Sequence, residues 1–227
     1  MMRTTTRGLA AIGTGLVAAL LFATRGISGS TPQVNVLPDP VLDQPVATAK
    51  GEQTIVFAGG CFWGVQAVFQ HVKGVVSATS GYAGGTVATP SYEQVSSGET
   101  GHAEAVKVVF DSSQVSLGQL LKVFFSVAHD PTELNRQGPD VGTQYRSAVF
   151  YTNDAQRQIV QGYIAQLTKA KAFRGPIVTQ VAPLKAFYEA EAYHQDYYNL
   201  HPNQPYIVIN DRPKVEALRT QFAELWK

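Results

Sequence analysis

The sequence predicts an α+β protein, a two-layer sandwich built on a βαββαβ core and extended at its C-terminus. Three observations lead there. Short β-branched or alternating segments alternate in order with segments of helical spacing, paired glycines punctuate the joints, and no internal repeat is visible from residue 53 onward. At 227 residues, with 44% hydrophobic and 15% charged residues, the chain has enough apolar material for one substantial core.

The elements follow in order. "QTIVFA" (53–58) is a short apolar strand that ends at Gly59 and Gly60. "CFWGVQAVFQHV" places Phe62, Val65, Val68, Phe69 and Val72 on one side of a helix. "VVSATSGYAGG" (75–85) and "HAEAVKVVF" (102–110) are the second and third strands, and "SLGQLLKVFFSVAH" (116–129) is the second helix. "YRSAVFYT" (145–152) is the fourth strand, and Asn153 is placed to cap the helix that follows it. This is the ferredoxin-like order, with helices on one face of a mainly antiparallel sheet. "PIVTQVAP" adds a candidate strand and "RPKVEALRTQFAELW" a terminal helix.

Two N-terminal segments lie outside this pattern. Arg3 and Arg7 precede an uncharged stretch from Gly8 to Thr24, followed by the small residues of "ISGS". That order predicts an export signal over residues 1–30, with an uncleaved membrane anchor as the alternative, and hence a periplasmic or cell-envelope location. Residues 31–52 carry four prolines and no apolar periodicity, and are expected to form a solvated Pro-rich linker to a domain at 53–227. The formal net charge of +1, without basic clusters, argues against nucleic acid as a partner.

Cys61 is the sole cysteine, so no internal disulfide forms. By count alone the inert core thiol is the favoured reading over a reactive one. Its setting favours reactivity. At the first turn of a helix, unpaired N–H groups and the helix dipole are expected to lower the thiol pKa toward neutrality. Gly59 and Gly60 are expected to turn the chain tightly and leave space beside the sulfur. Phe62 and Trp63 then make an apolar slot for a small group, or pack into the core. Glu104 alternates with Val106, Val108 and Phe110, which places a carboxyl on the core face of a strand. Desolvation there raises its pKa and makes it a proton donor, unless it lies hydrated beyond the strand end. His102 and His194 lack ligand spacing to Cys61, and no metal site is expected.

Four segments carry a family resemblance: "GCFWG" (60–64), "SGETGHAEAV" (97–106), "VGTQYRSAV" (141–149) and "FYEAEAYHQDYY" (187–198). Together they resemble the class A peptide-methionine sulfoxide reductases over about residues 53–226. The resemblance implies reduction of the S epimer of methionine sulfoxide, free and in proteins, as a repair of oxidative damage. It implies a substrate methyl held by Phe62 and Trp63, with Gly60 also in the substrate site, attack by the Cys61 thiolate, and protonation of the departing oxygen by Glu104. Tyr92 and Tyr145 match family tyrosines that hydrogen-bond that oxygen; Asp140 and Tyr206 match residues that line the substrate site. A Cys61 sulfenic acid would remain.

The chain departs from many relatives at Ser96 and Ile207, where they can carry recycling cysteines. The expected protein therefore binds no cofactor, is a monomer, and relies on an external reductant: a thioredoxin-like or glutaredoxin-like protein, or a small thiol. Two other readings share the same residues. A thiol peroxidase would not need the aromatic pair, and a noncatalytic binding module would not need Cys61.

Overall fold

In the computed structural model, residues 1–2 and 36–227 are described, and those from 36 onward belong to one folded unit. The expected export segment from residue 3 on and the first residues of the expected linker lie outside the described residues. The elements run β1 (Glu52–Gly59), α1 (Phe62–Gln70), β2 (Val75–Ala83), α2 (Tyr92–Ser96), β3 (Ala103–Asp111) and α3 (Leu117–Val123). They continue through β4 (Arg136–Gln137), β5 (Asp140–Val141), β6 (Ser147–Tyr151), α4 (Asp154–Lys169), β7 (Gln180–Pro183) and β8 (Phe187–Glu189). The short α5 (Tyr197–Leu200) and α6 (Arg212–Gln221) complete the chain.

The main sheet has the order β7-β6-β1-β3-β2-β8. Its four central strands, β6-β1-β3-β2, are the sheet of the expected βαββαβ core, all paired antiparallel. β7 adds in parallel to β6 through the α4 crossover, and β8 adds antiparallel to β2. The alternation seen in the sequence decides which side chains meet the helices. Phe57, Val106, Val108 and Phe110 join Phe69, Leu120, Leu121 and Phe124 in the main core. Phe57 stacks on Phe69 at 4.8 Å and on Phe124 at 4.7 Å. The opposite sheet face is built from small residues, Ala58, Ala103, Ala105 and Ala148, around Phe150 and is covered by Ala182, Leu184 and Phe187.

Asn153 caps α4 as expected, its side chain accepting the Gln156 N–H at 2.9 Å. The helix expected over 116–129 is shorter in its α-helical part: it passes into a π-turn at Phe124–Ala128 that delivers His129 to Ser147 at the start of β6. The fourth strand begins two residues later than expected, because residues Thr143–Tyr145 form a 3-10 turn. The terminal helix stops at Gln221, short of Trp226.

The linker expectation is corrected from residue 36 on. Leu37 is buried in the main core, Tyr163 Oη donates to the Pro38 carbonyl at 2.8 Å, and Gln166 bonds both Asp39 and Val41. Asp43 accepts the Gly118 N–H at 2.9 Å and the Ser116 hydroxyl, adding an anion to the N-terminus of α3. These contacts hold the strap against α3 and α4, and its absence of periodicity reflects anchoring at single points.

Candidate active site

The site is built at the end of β1, where the chain must turn from sheet to helix. Gly60 has φ +87°, a left-handed conformation that glycine adopts without steric cost. A Cβ there would run into the Gln137 side chain, so the glycine permits close packing and does not leave open space beside the sulfur. Gly60 turns the chain into α1 and is not itself among the residues that line the cleft.

Cys61 is the N-cap residue of α1, and Phe62 and Trp63 begin the helix. Their side chains diverge. Phe62 points into the core, 1% exposed, with its ring 6.0 Å from Tyr82 and 5.1 Å from His194. Trp63 is half-buried, stacked on Tyr197 at 3.8 Å and edge-on to Tyr206 at 5.9 Å. Its indole N–H donates to His194 Nδ1 at 3.2 Å, which leaves the second ring nitrogen of that histidine as the protonated one.

Glu104 lies on β3 opposite Tyr82, 2% exposed, and accepts the Phe62 N–H at 3.0 Å. Burial pushes its pKa to about 8; the Phe62 N–H opposes the rise and the charges of Asp140 and Asp211 reinforce it. The carboxyl is therefore mostly protonated at neutral pH. The expected lowering of the Cys61 pKa is reversed. Burial pushes the thiol well above its ordinary value and Glu104 and Asp211 add to the rise, outweighing the Trp63 N–H and Lys214. The helix N-terminus is present, but burial of the sulfur, with two carboxyl groups close by, outweighs it.

Cys61, Glu104, Tyr92, Tyr145, Asp140 and Tyr206 all line one cleft of about 270 Å3, with Phe62 and Trp63 forming its apolar part. Tyr92 starts α2, held by its own N–H to Glu191 at 2.8 Å, and Tyr145 ends the 3-10 turn before β6. Burial raises the pKa of both phenols, with Glu104 adding to each, so both remain hydrogen-bond donors. Tyr206 donates its hydroxyl to Asp140, tying the C-terminal segment to the loop before Tyr145.

A family model described as peptide methionine sulfoxide reductase matches residues 53–226. The chain belongs to that family. Among similar proteins, a peptide methionine sulfoxide reductase MsrA 2 of Mesorhizobium japonicum is 59% identical over 178 residues, covering 78% of this chain and 91% of its own length. A second MsrA 2, of Synechocystis, is 51% identical over 199 residues, covering 87% of this chain and 93% of its own. The crystal structure of reduced Mxr1 from Saccharomyces cerevisiae aligns with a TM-score of 0.62 at 33% identity, covering 71% and 91% of the two chains. Methionine sulfoxide reductase A of Corynebacterium diphtheriae aligns at 0.60 and 36% identity, covering 77% and 92%. The protein is thus a methionine sulfoxide reductase of the MsrA class, an oxidoreductase that repairs oxidised methionine.

Several residues that organise the reductase site carry no periodic signal. Gln195 accepts from Gln66 Nε2 and the Ser80 N–H, and donates to the carbonyls of Ser80 and Ala190, clamping the C-terminal segment onto β2. Glu191 joins the Tyr82 hydroxyl to the Tyr92 backbone. Gln204 lines the cleft, and Asp211 is fully buried beneath α1. Only the segment at 187–198, read as a block, pointed toward the first two. At the positions where relatives can carry recycling cysteines, Ile207 is buried and Ser96 is half-buried.

Proposed function

We propose that this reductase acts on the S epimer of methionine sulfoxide, free or within proteins, with the methyl group seated against Phe62 and Trp63. The observation that carries the reading is a buried, largely protonated carboxyl and the sole thiol facing one aromatic slot. The Cys61 sulfur attacks the sulfoxide sulfur while Glu104 gives its proton to the oxygen; the hydroxyl then passes from the substrate sulfur to Cys61 Sγ as the new S–S bond breaks, releasing the thioether. The Cys61 proton returns to the Glu104 carboxylate, so thiol plus sulfoxide yields sulfenic acid plus thioether with no net proton taken up. A raised thiol pKa is compatible with this step, because the thiolate need form only during attack. Tyr92 and Tyr145 donate to the oxygen as charge builds there, and Asp140 with Tyr206 holds the substrate's polar end.

A methyl slot on one side of the sulfur and a fixed proton donor on the other accept one hand of the sulfoxide. With a single cysteine, recycling needs an external thiol, from a thioredoxin-like or glutaredoxin-like protein or a small molecule. We further propose a monomer whose catalytic residues lie within 53–227, with the strap from residue 36 docked on the same folded unit, exported to the cell envelope on the strength of the N-terminal basic-then-apolar pattern. The test is a single turnover of each epimer without reductant. About one methionine per protein is expected from the S epimer, with Cys61 trapped as sulfenic acid. No methionine from that epimer would sink the reading.

A further inference from the structure

Cys61 lines two clefts. The second, of about 380 Å3, shares Cys61, Asp140 and Tyr206 with the substrate slot, so the Tyr206–Asp140 hydrogen bond stands as a wall between them. The two sides differ in chemistry. Phe62, Trp63, Tyr92, Tyr145 and Glu104 belong to the first alone. The second is walled by His129, Asp130, Glu133, Gln137, Asn210 and Lys214.

Its charges do not cancel. Lys214 lies 3.4 Å from the buried Asp211, and Glu133 lies 3.4 Å from Arg136. His129 is neutral: Nδ1 faces the Phe124 carbonyl at 3.1 Å, Nε2 faces the Ser147 hydroxyl at 2.7 Å, and burial holds its pKa at about 3. Asp130 and Asp140 are left without a cationic partner among the described residues.

Displacement at a sulfenic sulfur proceeds roughly in line with the departing oxygen. On the reading given above, that oxygen is left on the side of Glu104, Tyr92 and Tyr145. The incoming sulfur must then approach from the other side, where the second cleft opens. We propose that this cleft is the recycling port, which admits an external thiol carrying positive charge close to its sulfur. The proposal rests on the sulfenic acid mechanism above. The external thiolate bonds to Cys61 Sγ, the S–O bond breaks, and the oxygen leaves as water after taking the proton the thiol gave up. A second external thiol attacks the outer sulfur of the mixed disulfide, releasing an external disulfide and Cys61 thiol.

The experiment uses the full chain with Cys61 sulfenic acid made by one equivalent of methionine sulfoxide, and in parallel by hydrogen peroxide. Its disappearance is timed with cysteamine, 2-mercaptoethanol and 3-mercaptopropionate at low salt, each rate corrected for thiolate fraction. Cysteamine is expected to exceed 3-mercaptopropionate by roughly tenfold, narrowing as salt rises. Asp130→Asn keeps the side-chain oxygen that Thr132 bonds and should reduce that ratio to about threefold. Asn210→Trp should slow all three thiols while methionine release in the first turnover stays unchanged.

Rates that ignore thiol charge, or variants that slow methionine release as much as recycling, overturn the port. Failure of the sulfoxide arm alone, with the charge ordering intact in the peroxide arm, overturns the reductase chemistry and keeps the port. A cysteine peptide flanked by lysines that outpaces cysteamine assigns the port to a protein thiol; the reverse order assigns it to a small one, and either result supports it.

Discussion

Glu104 holds its proton at neutral pH because β3 carries it into the core side of the sheet, where water cannot solvate its charge. Replacing it by glutamine keeps the shape and removes the proton. Glu104→Gln should slow single-turnover methionine release by roughly 10²–10⁴-fold, the range for losing a general acid. A variant at full rate would remove Glu104 from the reaction. The pH dependence has a defined sign. On the proposed mechanism the acid form is the active one, and its pKa is about 8, so the single-turnover rate should be level below that pH and fall above it. A rate that climbs between pH 6 and 8 would show that a preformed thiolate is required. The same raised pKa means that folding favours protonated Glu104, so stability is lost as pH rises from the ordinary carboxylate range through about 8. Glu104→Gln should therefore be the more stable protein above pH 8, a cost of keeping an acid in the core. Stability of the two proteins by urea denaturation at pH 6 and 9 checks this.

The strap at residues 36–49 and helix α3 illustrate how far local patterns reach. Ser116, Gln119 and Asn153 cap helices through their own neighbours, and such contacts are legible in short stretches of sequence. The strap is different, because Leu37, Asp39 and Asp43 find partners more than 70 residues away. Its prolines and polar residues have the composition of a free linker, and only the docking surface decides otherwise. Leu37→Ala should cost about 2–3 kcal/mol, the lower part of the range for buried leucine because a strap can relax into the gap. A urea midpoint unchanged by the substitution would return the strap to the status of a linker. The π-turn at Phe124–Ala128 has the same origin: nothing in its apolar spacing distinguishes it from α-helix, and the need to place His129 against Ser147 accounts for the wider turn.

Across the whole molecule there is one cysteine, and on the proposed mechanism it serves a reaction that consumes two electrons from outside. Turnover without added thiol should therefore stop after about one methionine per chain, with no disulfide within the protein. Cys61→Ser should abolish release and leave the fold intact; mass analysis of the spent enzyme would expose any continued cycling.

The thiol, its aromatic neighbours, the core-facing Glu104 and the βαββαβ order are set by contacts within a strand or helix, where periods of 2 and 3.6 assign each side chain a face. Those features were readable in the chain itself. The charge state of Cys61 was not, because it depends first on burial of the thiol and then on Glu104 and Asp211, one from β3 and one from the turn before α6, arriving near the same sulfur. The anchoring of Trp63 by His194, the Tyr206–Asp140 wall and the second cleft behind it likewise join segments about 65 to 130 residues apart. Burial and long-range charge are properties of the packed chain, and a linear pattern carries no measure of either.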